Sequence, residues 1–481
     1  MNNLWCRTVR PSIVLAGAVG LLLVGPPPAH RALAQTGSIP LRGGLQQAPA
    51  QVEQEAGARL FRAPSGELFR VWNRVDGGAG AISLASSRDG VAWQTLSRIG
   101  PEVSGIRAQD GHVAVNGAAD IALAYRWVNA HPKINNLRLA RSTDAGKTWT
   151  VPGENLDSTG GAFGPHVAWG AERTLVMAWP DEGAQGRRRY DVKLRRSPDG
   201  GVTWESPVVV TRDRPDGASY KPRLFGDGEG RFWLLWIESR TDLPSALLLS
   251  RSEDNGRTWS PPQPVGGGTH SIVGQSLELS GRGRLLLTWH AQRSGPLGTP
   301  PRVFAASSKD GGVTWSPPVE VDGLPPAAPT AAVAQSSALT AAGEAWVSWH
   351  DNRNGRNDVF VAHSPDGGLT WGPPFRLDAD SPGTAESVFP RLAVSPDGTV
   401  VAVVWQDDRR GLEAVYGRIF SGGQWSDETL LGAAIPRKKA ARAPQIAPTG
   451  KGGFYVVWEV VEYSQGASPQ HTLDDAVVRV R

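Results

Sequence analysis

Cysteine is almost missing from this chain: Cys6 is the only one in 481 residues. No disulfide can staple the fold, and no cysteine cluster can hold zinc or an iron–sulfur centre. Histidine (9), tyrosine (6) and methionine (2) are scarce, and the histidines show no HExxH or other metal spacing. Neither a glycine-rich phosphate loop nor a nucleophilic-serine motif is present. The reading is therefore of no metal and no cofactor. An excess of one charge is lacking too. Fifty Lys and Arg face 46 Asp and Glu, which gives no argument for a nucleic-acid partner.

One apolar run stands out, at the N-terminus. Arg7 and Arg10 precede the apolar stretch Ser12 to Gly25, and Ala32-Leu33-Ala34 is a small-x-small site before Gln35. This pattern predicts a secretory signal over 1–34 and export to the periplasm or beyond. The alternative, a membrane anchor, is disfavoured because the run is short for a span. The mature chain is expected to carry no membrane span. Cleavage near Ala34-Gln35 would remove Cys6, Arg7, Arg10 and Arg31, and the formal charge would fall from +4 to +1.

Tryptophan (19), glycine (58) and proline (38) are plentiful, as many short strands and turns require. Ser197-Pro198-Asp199-Gly200-Gly201-Val202-Thr203-Trp204 is one copy of a repeated Ser-x-Asp-x-Gly-x-Thr-Trp unit. Its aspartates are Asp144, Asp199, Asp254, Asp310 and Asp366, with a shortened form at Asp89. A fixed period of this size means one supersecondary unit stacked many times. Asp accepts hydrogen bonds from nearby backbone and Gly permits positive φ, so Asp-x-Gly makes a tight turn between strands. Equivalent aspartates in so many turns read as a folding device rather than as catalytic or metal-binding groups.

A second marker recurs, an apolar strand ending in an aromatic residue: Trp72, Tyr125, Trp179, Trp236, Trp289, Trp349, Trp405 and Trp458. The markers predict an all-β propeller of four-stranded blades over 57–481, with eight blades first and seven or six as alternatives. The third unit should have strands near His166–Trp169, Thr174–Trp179, Asp191–Arg196 and Val208–Thr211. The last unit runs out before a fourth strand. Segment 35–56, around Ile39 to Gln47, is the candidate for closing the ring.

The octapeptide is the Asp box, and through it the chain resembles the sialidase (neuraminidase) superfamily over about residues 57–481. Asp boxes also occur in propellers that are not sialidases, so the resemblance speaks for fold more than for activity. It implies that the boxes lie on the face away from the ligand. It also implies three arginines clamping a carboxylate, a Tyr nucleophile with a Glu partner, and an Asp acid/base. A bidentate guanidinium matches a planar carboxylate. Arg59, Arg223 and Arg391 stand at equivalent places before their marker aromatics, as if opening inner strands, and Arg107 is a weaker addition. In other units that place holds His112, His166, Ser276, Ser336 and Gln445. Arg62, in Phe61-Arg62-Ala63-Pro64, looks like the family's first arginine but sits at a strand end. Loops after the markers add Asp351, Arg353, Asp408 and Arg409, and their acid-x-Arg pattern equally suits groups that fix their own loops. Tyr463 and Asp76 are the candidate nucleophile and acid.

Three functions follow as expectations. The first is binding of an anionic glycan or a protein partner on the face opposite the Asp boxes. The second is exo-sialidase or other glycosidase activity. The third is a non-catalytic envelope scaffold.

Overall fold

The computed structural model describes residues 34–37 and, with short interruptions, 59–480. The interruptions are 64, 77–78, 101–105, 118, 130–133, 153, 158–159, 183–189, 212–216, 241–244, 267–268, 281–282, 294–298, 433–438, 450–451 and 464–469. All long elements among the described residues are strands, and none is an α-helix. The chain folds as a β-propeller. The third unit shows the plan: His166–Trp169, Leu175–Asp181, Asp191–Ser197 and Val208–Val209 pair in order as an antiparallel meander. These are the strands that the sequence predicted, within two residues at each end.

Among the described residues the strands form seven hydrogen-bonded sheets, five of four strands, one of five and one of seven. The seven-stranded sheet comprises two successive meanders joined by a single parallel pair, Gly80 with Arg107. A Cβ at Gly80 would lie 2.9 Å from the Arg107 Cβ, so only glycine lets the two backbones approach there.

Buried side chains fill the spaces between units. Trp179, Trp236, Trp289, Trp349, Trp405 and Tyr125 are fully buried. Each such large side chain contributes about 2–3 kcal/mol by leaving water. The apolar clusters are shared between consecutive units, and one joins the last unit to the first: Leu68, Trp72, Ala85, Tyr455, Val457 and Val477. Arg70 reinforces this seam. Its Nη1 donates to the Tyr455 hydroxyl at 3.1 Å, and its guanidinium lies 4.4 Å from the Trp93 ring centre. The circle therefore closes without a covalent link.

A strand near the N-terminus completes the last unit, but it lies upstream of the expected place. Ala34–Gly37 pairs antiparallel with Gln470–Val480, from Ala34 opposite Val480 to Gly37 opposite Val477. The Ile39 to Gln47 reading falls outside the described residues.

The Asp boxes are turn staples. Asp199 Oδ1 accepts the backbone N–H groups of Val202 (3.0 Å) and Thr203 (2.9 Å), and its Oδ2 accepts the Thr203 hydroxyl at 2.6 Å. Ser197 donates to Asp199 and accepts from the Gly201 amide at 2.7 Å. The same Ser–Asp–Thr bonds recur at Asp144, Asp254, Asp310 and Asp366. In the first box Ala92 replaces Thr, and Asp89 keeps only backbone donors beside Ser87. The Thr148 hydroxyl and amide hold Asp144 down at about 2, and Thr314 does the same for Asp310.

Candidate functional site

The inner strands carry a recurrent bulge. Register slips between Gln109 and His112, Tyr220 and Arg223, Val333 and Ser336, Val388 and Arg391, and Arg442 and Gln445. In each slip one non-glycine residue takes positive φ: Asp110 (54°), Lys221 (52°), Ala334 (57°), Phe389 (54°) and Ala443 (51°). A left-handed residue without glycine costs roughly 1–3 kcal/mol and persists only where its surroundings over-determine it. At three of the five, side chains of neighbouring units supply that constraint. Gln275 donates to the Lys221 carbonyl (2.8 Å), the Phe389 amide donates to His350 Nδ1 (3.3 Å), and the Ala443 amide donates to Gln406 (3.1 Å).

The bulges correct one expectation. Arg223 and Arg391 do not open their strands, which run Gly217–Gly226 and Ser387–Val394. Each arginine stands two residues past a bulge, because the strand continues upstream through the distorted turn. Register also fixes their relation to the boxes. Phe232 pairs with Gly226 and with the box residue Ser252, whereas Glu238, at the other end, pairs with Ser219 and Ala246.

A cleft of about 600 Å³ opens around the unit-four bulge, lined by Phe163, His166, Tyr190, Tyr220, Lys221 and Arg223, with Asp110 also contributing. Arg223 Nη1 donates to His166 Nε2 at 2.9 Å. Arginine can only donate, so this nitrogen accepts and the imidazole proton sits on Nδ1. His166 packs against His112 at a 38° tilt with ring centres 4.1 Å apart, and His112 Nδ1 accepts the Val167 amide. Burial, then the neighbouring Arg223 charge, pushes the Lys221 ammonium below its usual range. Burial pushes the Tyr220 phenol up. Phe163 meets the Tyr190 ring edge-on at 5.3 Å.

The other sequence candidates are distributed elsewhere. Arg391 is in the sheet of Ser387–Val394, three units further round. Burial lowers its pKa, and its Nη1 donates to the Pro390 carbonyl at 3.3 Å. Arg107 lies in the strand Ile106–Asn116, at the parallel pair with Gly80. Arg59 is in Arg59–Arg62 and Asp76 ends Leu68–Asp76, but their side chains lie outside the described residues.

Arg353 grips the fully buried Asp351 through Nε (2.8 Å) and Nη2 (2.7 Å), and its guanidinium lies over the Phe360 ring. Arg409 repeats the arrangement with Asp407 (2.9 and 2.6 Å) over Tyr416, and adds Glu428 at 2.6 Å. Burial pushes the Asp407 carboxyl up, but hydrogen bonds from Arg409 and Ser387 outweigh it and leave the pKa lowered. Asp408 instead bridges to Arg356 at 2.6 Å and accepts the Glu386 amide. Tyr463 is exposed, and its hydroxyl accepts from Arg442 Nη2 at 2.6 Å. Asp358, Asp378 and Asp380 converge, but Arg376 Nη2 sits among them at 3.1, 2.6 and 2.8 Å.

Sequence reasoning missed Lys221, Tyr190, Tyr220 and Arg356. Lys221 had a signal, since it precedes Arg223 by two residues. Tyr190 is contributed by another unit and had none.

No family model matches the chain. It is similar to the sialidase of Micromonospora viridifaciens, 24% identical over 365 residues, covering 68% of this chain and 53% of that protein. It is also similar to a sialidase of Bacteroides fragilis (strain YCH46), 26% identical over 283 residues, covering 50% of this chain and 49% of that one. The chain thus spans about half the length of the curated relatives it matches. A solved Hadza microbial sialidase overlaps 70% of this chain and 74% of its own at 17% identity and a TM-score of 0.37. The chain is thus a β-propeller whose sequence is similar to these two sialidases.

Proposed function

We propose that this protein is an exported propeller of eight blades that binds a carboxylate-bearing glycan in the cleft around Arg223. The observation that carries the reading is the cleft itself, which places a guanidinium and an ammonium beside aromatic walls in one concavity. A planar carboxylate matches the guanidinium fork, and aromatic faces suit the apolar side of a sugar ring. The sialidase relatives support a carbohydrate ligand. The blade count reads the seven-stranded sheet as two blades, since its halves share one parallel pair and enclose their own apolar cluster. Export follows from the leader pattern over 1–34. The test is a glycan array followed by calorimetry. Arg223→Ala should weaken an acidic glycan at least tenfold, about 1.4 kcal/mol. Equal affinity in wild type and variant would remove this cleft as the site.

A second reading, exo-sialidase activity, draws on Tyr463. Arg442 joins its hydroxyl at 2.6 Å and Glu459 at 3.9 Å, giving a Tyr–Arg–Glu group at another point of the ring. Release of sialic acid from a fluorogenic sialoside, lost in Tyr463→Phe, would establish it.

A further inference from the structure

We propose that the Arg223 cleft holds a uronate within a polysaccharide and breaks the chain by β-elimination, with His166 as base and Tyr190 as acid. The inference rests on the acidic-glycan reading above. Hydrolysis of a glycosidic bond ordinarily uses two carboxyl groups flanking it. Asp110 is the one carboxylate among the described residues lining the cleft, and it is engaged by Arg126 at 2.8 Å. The cleft offers instead two cations, an imidazole and two phenols. That set suits removal of a proton from the carbon next to a carboxylate, where preorganised cations stabilise the charge that develops.

The contacts distribute the roles. Arg223 takes the uronate carboxylate, and the ring carbon bonded to it, C5, must then lie beside whatever flanks the guanidinium. His166 Nε2 is 2.9 Å from Arg223 Nη1. Arginine donates to Nε2, so that nitrogen carries no proton, and its lone pair is released to the C5–H when the uronate carboxylate draws the guanidinium onto itself. The tilted contact with the His112 ring holds the imidazole in place. Lys221 supplies the second cation for the charge that builds on the carboxylate. The Tyr220 hydroxyl is engaged by Ser245, whereas Tyr190 stands against Phe163 on the same cleft wall.

His166 takes the C5 proton, and the C5–H electron pair becomes the C4–C5 double bond. The C4–O4 bond breaks with its pair on O4, which takes the Tyr190 proton. Proton exchange with solvent resets the imidazolium and the phenolate. No water is consumed, and nothing is oxidised or reduced overall. One product ends in a free anomeric hydroxyl, a new reducing end, and the other begins with a 4,5-unsaturated uronate.

The test incubates the purified protein with polygalacturonate, alginate and hyaluronan, and with sialyllactose as control. Binding is measured by calorimetry. Cleavage is measured as new reducing ends and as ultraviolet absorbance of the conjugated double bond. Absorbance should rise in step with reducing ends for at least one uronate polymer. His166→Gln and Tyr190→Phe should each lower that rate at least about 100-fold, with the melting curve and affinity preserved. Loss of affinity alone in these variants would overturn the assigned roles. Because the wild-type product assay needs no variant, misfolding of a variant cannot rescue the idea. Reducing ends without absorbance would mean hydrolysis and would overturn elimination while leaving the binding reading intact. Binding without cleavage would do the same. Failure to bind any acidic glycan would overturn the binding reading itself.

Discussion

Arg353 and Asp351, two residues apart, form a bidentate pair in which the carboxylate is wholly buried and the guanidinium reaches on to the Asp322 carbonyl at 2.7 Å. Arg409 and Asp407 repeat it one unit later. In this geometry each arginine clamps the loop that carries it.

Removing one of these arginines should therefore act on stability. Arg409→Ala leaves Asp407 buried beside Ser387 without its cation, and a broken buried pair costs about 3 kcal/mol or more. Thermal melts should show a large drop. Calorimetry on the folded protein at low temperature should show unchanged glycan affinity. A stable variant with lost affinity would return Arg409 to the ligand site.

Arg391 and Arg223 should separate in their effects. Arg223 lines the cleft, whereas Arg391 is not among its described lining residues. Arg223→Ala should weaken binding at least tenfold, about 1.4 kcal/mol, and Arg391→Ala should leave it unchanged. Equal losses would mean that the ligand extends beyond the cleft to Arg391.

The Asp boxes predict an acid limb to stability. Asp144, Asp199, Asp310 and Asp366 are held at about 2, below their ordinary value. Carboxylates lowered in the folded state stabilise it above the unfolded value of about 3.9, and that contribution is lost as pH falls toward 2. Melting temperature should therefore decline from pH 5 to pH 2. Asp199→Asn should lower it at pH 7 by about 1 kcal/mol of stability, through weakened turn bonds, and should flatten part of the acid decline. Binding should not change, because the box stands at the far end of the sheet from the bulge.

Deleting residues 34–37 should lower thermal stability and leave Gln470–Val480 exposed as an edge. Hydrogen exchange should rise first in that strand. An unchanged melt would show that the apolar seam of Tyr455, Val457 and Leu68 closes the ring unaided.

The repeat, the Asp boxes and the marker aromatics were legible because each is dictated locally. A turn needs its own Asp and Gly, and a wedge needs its own Trp. The bulges were not legible, since positive φ at Lys221 or Phe389 is imposed by side chains from adjacent units and leaves no glycine as a sign. Asp407 and Asp408 are adjacent acids in one loop, and nothing in the sequence marks that Asp407 points inward to Arg409 while Asp408 turns to Arg356. The cleft joins Phe163 and Tyr190 of the third unit to Arg223 of the fourth, and no spacing rule links them.

The Ala34–Gly37 strand pairs with Gln470–Val480, so the first and last described strands are neighbours. Contacts of such wide sequence separation form late and slowly. During synthesis, every unit can stack on the one before it, yet the seam must wait for the final residues. Until then two faces stay open to solvent, the apolar side around Leu68 and Trp72 and the unpaired strand awaiting its partner. A ribosome stalled near the end would hold a nearly complete structure that is still sticky at both ends. Export before ring closure, or a chaperone that covers those two faces, would resolve this hazard.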